Sequence, residues 1–256
     1  MNSQSLNQEI ILVLGSKPKA TIPISDFTYC ANATASYYEE NLKNHSNITS
    51  IVSATEVILG TRKKSPKKDK WAKDRKNRIA NSPSDKIVMY WTDGFPDSID
   101  LLKKSPCFTP IIGVTSYEIL ALIKSISGIR IPTLTFDHFS KKDQAILNLL
   151  RFVKNYIYAI IVNPYSMSGL FRPSTGIIAL IYAISKHGKN AQYIISGISI
   201  EGRGSYPDGS KNSWSKKNSL ESYHVYVDKK ILTTLSKKYN IKTTEKLLTS
   251  ILSEYK

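Results

Sequence analysis

Apolar residues fall in short, nearly unbroken runs separated by segments of helical rhythm, and this alternation sets the expected architecture. Glu9–Leu14 predicts a buried strand ending in the turn Gly15-Ser16-Lys17-Pro18. Phe27–Asn32 predicts a second strand and Ala33–Leu42 a helix. Ile48–Ser53 and Lys86–Trp91 predict strands that bracket a basic stretch at about 61–84. Asp97–Lys104 fits a short helix, Ile111–Thr115 a strand, Tyr117–Ser127 a helix and Ile131–Thr135 a further short strand. Ser140–Val153 reads as a helix, with Ser140 and Asp143 at capping-box spacing. A helix then runs from the Arg172 segment to Gly188, followed by a strand at Gln192–Ser196. Ser199–Ser222 is polar, rich in Gly and Ser and without period, which predicts a long loop. Val225–Tyr239 places Ile231, Leu232, Leu235 and Tyr239 on one helical face, and Glu245–Leu252 predicts a closing helix.

Strands alternating with helices predict an α/β fold: one Rossmann-like domain over residues 1–256, its mainly parallel sheet covered on both faces, with a basic loop excursion. Ligands in such folds sit beyond the carboxyl ends of the strands. The turn at Gly15, Asn32, the helix start after Arg172 and the loop after Gly197 all fall at such positions.

Composition adds three constraints. A hydrophobic fraction of 41% with 10% aromatics describes a folded chain with a substantial core. The longest apolar runs, near Tyr156–Val162 and Gly176–Ile184, are shorter than the roughly 18 residues of a spanning helix. The sequence opening has no basic region followed by an apolar one, so the expected location is cytoplasmic. Cys30 and Cys107 lie among apolar or small residues and read as buried thiols, and no Cys/His cluster has zinc spacing.

The net charge is +16, and half of it is local. Residues 62–78 hold ten Lys and Arg (62, 63, 64, 67, 68, 70, 73, 75, 76 and 78) against Asp69 and Asp74. With no regular amphipathic pattern, the stretch reads as a solvated loop; docking to an anionic membrane or binding a polyanion are the functional alternatives.

Chemistry concentrates around Phe171-Arg172-Pro173-Ser174-Thr175-Gly176. Pro173 has no N–H to lose in a first turn, and Ser174 or Thr175 suits a helix cap. A helix start offers N–H donors and partial positive charge to a phosphate, and Arg172 brings a guanidinium to the same anion. An ordinary capped core helix beside a surface arginine accounts for the same residues. The Gly15–Pro18 turn is neither a Walker A motif nor a Gly-x-Gly-x-x-Gly fingerprint.

Pro-Ser-Thr-Gly followed by small and apolar residues resembles the small sialylmotif of the animal-type sialyltransferases. Arg-x-Ser-Thr-Gly is similar to the corresponding motif of the bacterial lipooligosaccharide sialyltransferases. Gly15-Ser16-Lys17-Pro18 resembles the turn opening the large sialylmotif, with Asn32 where a second asparagine meets the nucleoside. Ser196-Gly197-Ile198-Ser199 and Gly204-Ser205-Tyr206 resemble the bacterial stretch whose tyrosine supports the departing phosphate. Ser199 replaces an acidic residue there, and Glu201 stands where a second phosphate-facing tyrosine is expected. His224 matches the histidine that opens a late helix and acts as base.

The resemblance covers about residues 10–40 and 170–242 and implies a GT-A-like variant of the Rossmann architecture. It implies an inverting glycosyltransferase that moves sialic acid or a related acidic sugar, such as a 3-deoxy-octulosonic acid, from a cytidine-monophosphate (CMP) donor. The expected acceptor is a cell-surface glycan or glycolipid of a lipopolysaccharide or capsule type, met at the inner membrane face. His224 takes the acceptor proton, while Arg172, Tyr206 and the amides of Ser174, Thr175 and Gly176 stabilise the phosphate. Gly15, Ser16, Lys17, Asn32, Gly197 and Ser199 hold the nucleotide. A neutral imidazole near a helix N-terminus suits a base. The chain has no Asp-x-Asp motif, so neither metal nor cofactor is expected, and a monophosphate leaving group suits that economy of charge. Two other readings stand beside this one: a nucleic-acid-associated protein using the basic stretch, which the resemblance disfavours, and a catalytically silent relative.

Overall fold

A computed structural model of the chain describes residues 8–53, 66–91, 109–131, 173–200 and 225–255, together with 150, 153 and 157. Its strands are β1 (Ile10–Leu14), β2 (Phe27–Ala31), β3 (Ile48–Ser53), β4 (Lys86–Trp91), β5 (Ile111–Thr115), β6 (Gln192–Ser196), β7 (Asn240–Thr243) and β8 (Ser253–Glu254). They form one eight-stranded sheet in the order β5-β4-β3-β2-β1-β6-β7-β8. Every pairing is parallel, with Leu14 opposite Cys30 on one side and Ser196 on the other. This is a Rossmann-like α/β sheet, and its order reverses between β1 and β6.

The uninterrupted apolar strands follow from burial on both faces. Ile11 and Val13 of β1 pack into one core with α4 (Ser116–Ser127), α5 (Thr175–His187) and α6 (Val225–Leu235). Leu12 and Leu14 face the other way, toward α1 (Thr34–Tyr37) and α2 (Glu39–Leu42). The same face continues over β3 and β4 under α3 (Pro66–Ala80), whose Ile79 and Ala80 are buried. α5 is the central helix: Gly176 through Ile184 are all buried, each large aliphatic side chain contributing about 1.5–3 kcal/mol. Ser174 caps it and Gly188 ends it at φ 71°. α4 starts on a complete capping box, Thr115 with Glu118.

Four expectations are corrected. The basic stretch is not a loop throughout, because residues 66–80 form α3. Lys and Arg propagate helices well and Pro66 suits a first position; Arg75 is 2% exposed, so this charge run has a buried side. Ala33–Leu42 is two short helices broken at Tyr38, whose hydroxyl donates to the Lys17 carbonyl and accepts from the Ala20 N–H. The Val225–Tyr239 helix stops at Leu235, since the chain must turn to enter β7. Glu245–Leu252 is a 3-10 turn at Lys246–Leu248 leading to β8, because Glu245 is held by contacts described below and Leu248 is buried.

Asp97–Lys104 and Cys107 lie outside the described residues, as do most of Ile131–Thr135 and Ser140–Val153 and the loop from 201 to 224. Cys30 is fully buried, and burial pushes its thiol pKa up to about 12, which makes it inert. Among the described residues no helix is long and apolar enough to cross a membrane.

Candidate functional site at the carboxyl edge

The chain ends of β1 and β6 meet where the strand order reverses. Gly15 donates its N–H to the Ser196 carbonyl (2.8 Å) and Lys17 to the Gly197 carbonyl (2.9 Å), carrying the ladder beyond both strands. The two glycines touch through their backbones. A Cβ on Gly197 would sit 2.5 Å from the Gly15 oxygen, one on Gly15 would drive into the Gly197 carbonyl, and Gly197 has φ 66°. These positions are glycine because two chains pass with no room for a side chain.

Glu245, just past β7, closes this junction. Its Oε1 accepts the Gly197 N–H (2.8 Å), its Oε2 pairs with the Lys17 ammonium, and its own N–H goes to Thr243 Oγ1 (3.0 Å). The carboxylate is 7% exposed. Lys17, expected to hold a nucleoside, is therefore engaged by the protein's own carboxylate. The Gly197 amide, the donor an anion would seek at a strand-order reversal, is engaged too. Ser16 beside it is half-buried.

Asn32 follows β2 in the left-handed region at φ 54°, a conformation that asparagine tolerates. Its N–H donates to the Ile51 carbonyl (2.8 Å), and its Oδ1 accepts the Ser53 N–H (3.4 Å), so it ties the ends of β2 and β3 together.

The α5 N-terminus lies at this same edge, since a helix returning between parallel strands runs against them. Gly176 packs on Ile198, two residues beyond β6: an added Cβ would meet Ile198 Cδ1 at 2.8 Å. The space that Gly176 leaves is thus taken by Ile198. Ser174 Oγ accepts the Ile177 N–H (3.5 Å), and Thr175 Oγ1 is 2.9 Å from the hydroxyl of Tyr90 near the end of β4. The Ser174 N–H goes to Asp228 Oδ1 (3.0 Å) in the first turn of α6. Asp228 is 1% exposed; burial pushes its pKa up to about 7, against the opposing pull of its Ser174 hydrogen bonds. Ser199 is half-buried beyond Gly197.

The structure brings Gly15, Lys17 and Gly197 to one junction and sets Ser174, Thr175 and Gly176 at the same edge of the sheet. Arg172, Tyr206, Glu201 and His224 lie outside the described residues. In sequence, Arg172 stands two residues before Ser174, and His224 directly precedes α6, whose Asp228 holds Ser174.

Three residues with roles here escaped the sequence reading. Asp228 left a signal: a carboxylate on the apolar stripe it shares with Ile231, Leu232 and Leu235. Tyr90 and Glu245 left none, because each acts through a partner far away in the chain. Compared with known proteins, the chain matches no protein-family model, no curated protein and no solved structure.

Proposed function

We propose that the chain is a metal-independent, inverting glycosyltransferase that uses a CMP-linked acidic sugar. The observation that carries this reading is the capped N-terminus of a 13-residue helix at the carboxyl edge of a Rossmann-like sheet, beside the strand-order reversal. Helix N-termini receive phosphates, and ligands of open parallel sheets bind at this edge.

The geometry also favours one phosphate over two. A diphosphate needs a second cradle, and at the β1–β6 junction the Gly197 amide and Lys17 are already engaged by Glu245. A single phosphate at the α5 N-terminus, with Arg172 and Tyr206 given to it by the resemblance, needs no such second cradle. In transfer, His224 removes the acceptor hydroxyl's proton as the oxygen attacks the sugar's anomeric carbon. The bond to CMP breaks, and the leaving phosphate takes the electron pair. Ser16 and Asn32 flank the nucleoside. Docking of the basic stretch to an anionic membrane would bring the enzyme to a glycolipid acceptor.

Thermal shift with CMP, UDP and GDP, each with and without magnesium, tests the donor class: stabilisation by CMP alone, indifferent to magnesium, is expected. His224→Ala should lower transfer by at least about 100-fold while CMP still binds. Retained turnover in that variant sinks the assignment.

A further inference from the structure

Cations gather where three helices end. α5 and α6 stop a few residues before β6 and β7 begin, so their C-termini lie at the amino edge of the sheet, opposite the candidate site. α4 joins them there: Lys238, just past α6, brings its Nζ to 4.0 Å from where a Cβ on Gly128, the C-cap of α4, would be. Tyr239 meets Tyr193 edge-on, with ring centroids 6.4 Å apart. The Tyr193 hydroxyl donates to the carbonyl of Gly188, the C-cap of α5 (2.6 Å). Lys124 and Arg130, Lys186 and Lys189, and Lys237 and Lys238 are thereby carried to one corner, and all six are exposed.

The charge at this corner is one-sided. Residues 119–131, 176–191 and 229–244 contain no Asp or Glu. None of the six cations makes an ion pair among the described residues, and Lys186 lies over the Tyr182 ring (5.3 Å). Glu9 is the acid that side-chain contacts bring here, and His187 holds it (3.0 Å). The segments that continue from the corner add no surplus of acid: residues 1–7 have none, and residues 132–172 have Asp137 and Asp143 against five Lys and Arg. Helix C-termini do attract cations, but each carries only about −0.5 charge, so three of them offset about a quarter of six. A lysine-rich composition scatters cations among acids; it does not clear the acids from three segments that meet in space. α3 offers less than its sequence promises, because Arg75 is buried and Arg78 pairs with Asp74 (3.1 Å).

The side chains present select among polyanions. Five of the six are lysines, compact hydrated charges rather than the guanidinium forks that grip phosphates in pairs. Tyr182, Tyr193 and Tyr239 pack into or against the core, so none of them is offered for a base to stack on. No large apolar side chain of these three segments is exposed. Point charges without stacking or insertion suit anionic headgroups. We propose that this corner is a docking surface for an anionic lipid membrane, separate from the basic stretch and held by charge alone. It does not depend on the nucleotide-sugar reading.

The test is cosedimentation of the full chain with vesicles of phosphatidylcholine, with and without phosphatidylglycerol, at low and at high salt. The parent protein should bind the anionic vesicles about tenfold better than the neutral ones or more, and should lose that preference at high salt. Lys124→Gln, Lys237→Gln and Lys238→Gln together should weaken anionic binding about 100-fold, at roughly fivefold per lysine. Arg130→Gln, Lys186→Gln and Lys189→Gln together should do the same, because both triples belong to one surface. Lys73→Gln with Lys76→Gln, on α3, should change binding by less than about threefold. Circular dichroism checks the fold, and if one triple fails to fold the other decides. Equal binding to both kinds of vesicle, or unchanged binding by a folded triple, overturns the proposal. So does a loss confined to the α3 variant, which would move docking to the basic stretch. Tighter binding of a single-stranded oligonucleotide than of anionic vesicles at the same salt, weakened by the same triples, would make the partner a nucleic acid and overturn it as well.

Discussion

The two edges of the sheet are built on different plans. At the amino edge, side chains among the described residues bond to one another and to strand starts. Tyr29 reaches His187 Nε2 (2.9 Å), His187 Nδ1 reaches Glu9 (3.0 Å), and Phe27 packs on the same imidazole. Ser25, Thr28 and His45 form a second triangle with sides of 3.0–3.2 Å. Asp26 and Asp85 each accept the first N–H of a neighbouring strand, at Ile10 and Ile48 (both 2.7 Å). Even the groove there, about 520 Å³ and lined by Lys43, His45 and Asp85, presents groups that already have partners. At the carboxyl edge the backbone does more of the work: two glycines touch, an asparagine sits in the left-handed region, and the buried acids Glu245 and Asp228 reach backbone N–H groups at Gly197 and Ser174. The amino edge is tied by side chains to side chains, and the carboxyl edge by glycine contacts and buried acids that reach the backbone.

Glycines at the two edges give the strongest test of this difference. Gly15→Ala puts a methyl group into the Gly197 carbonyl and should cost about 3 kcal/mol or more, read from urea midpoints. Gly188→Ala, at the amino edge, meets nothing within 4 Å and strains only its backbone at φ 71°, for about 1–3 kcal/mol. Equal costs would erase the contrast.

Acid–base behaviour should separate the edges next. Asp228 has a folded pKa of about 7 against an ordinary 3.8, so the folded state holds a proton that the unfolded chain has released. Its contribution is fully present below pH 3.8 and is lost as pH rises through about 7, with a slope of about 1.4 kcal/mol per pH unit between. His45 has the opposite sign: burial lowers its pKa, so its contribution is present above its ordinary 6.5 and fades as pH falls. Denaturation from pH 4 to 8 should show the first slope disappear in Asp228→Asn and the second in His45→Gln. Slopes unchanged by these substitutions would contradict the assignment.

The smallest effect belongs to His187. His187→Ala leaves Glu9 and the buried Tyr29 without their bridge and should cost about 1–2 kcal/mol. CMP affinity should not change. A loss of affinity in this variant would mean that the edges communicate through α5.

Legibility in the sequence followed the range of the interactions. β1 to β6, α4 and α5 were readable because Ile10–Leu14 and Ile177–Ile184 carry their burial in adjacent residues. α3 was not, because its cations hide a side that buries Arg75, Ile79 and Ala80. β7 and β8 are too short and too polar to announce themselves; β7 is a strand because β6 is there to pair with it, and β8 because β7 is. At the site, Ser174 was legible as a helix cap and Gly15 as the turn that ends a strand, while the contact between Gly15 and Gly197 needed the fold. The Glu245 and Asp228 contacts were not, since their partners arrive from distant segments of the chain.

The pairing of β1 with β6 also governs when the molecule can become whole. Ile10 must wait for Gln192, and Gly15 for Gly197, while β2 to β5 can assemble on the other side of β1 as soon as they are made. On the ribosome, β1 therefore carries one open row of N–H and C=O groups through most of synthesis, an edge that other chains can pair with. The late strands are then a seal as well as a site: they finish the carboxyl edge at the moment they remove the last unpaired side of the sheet's central strand.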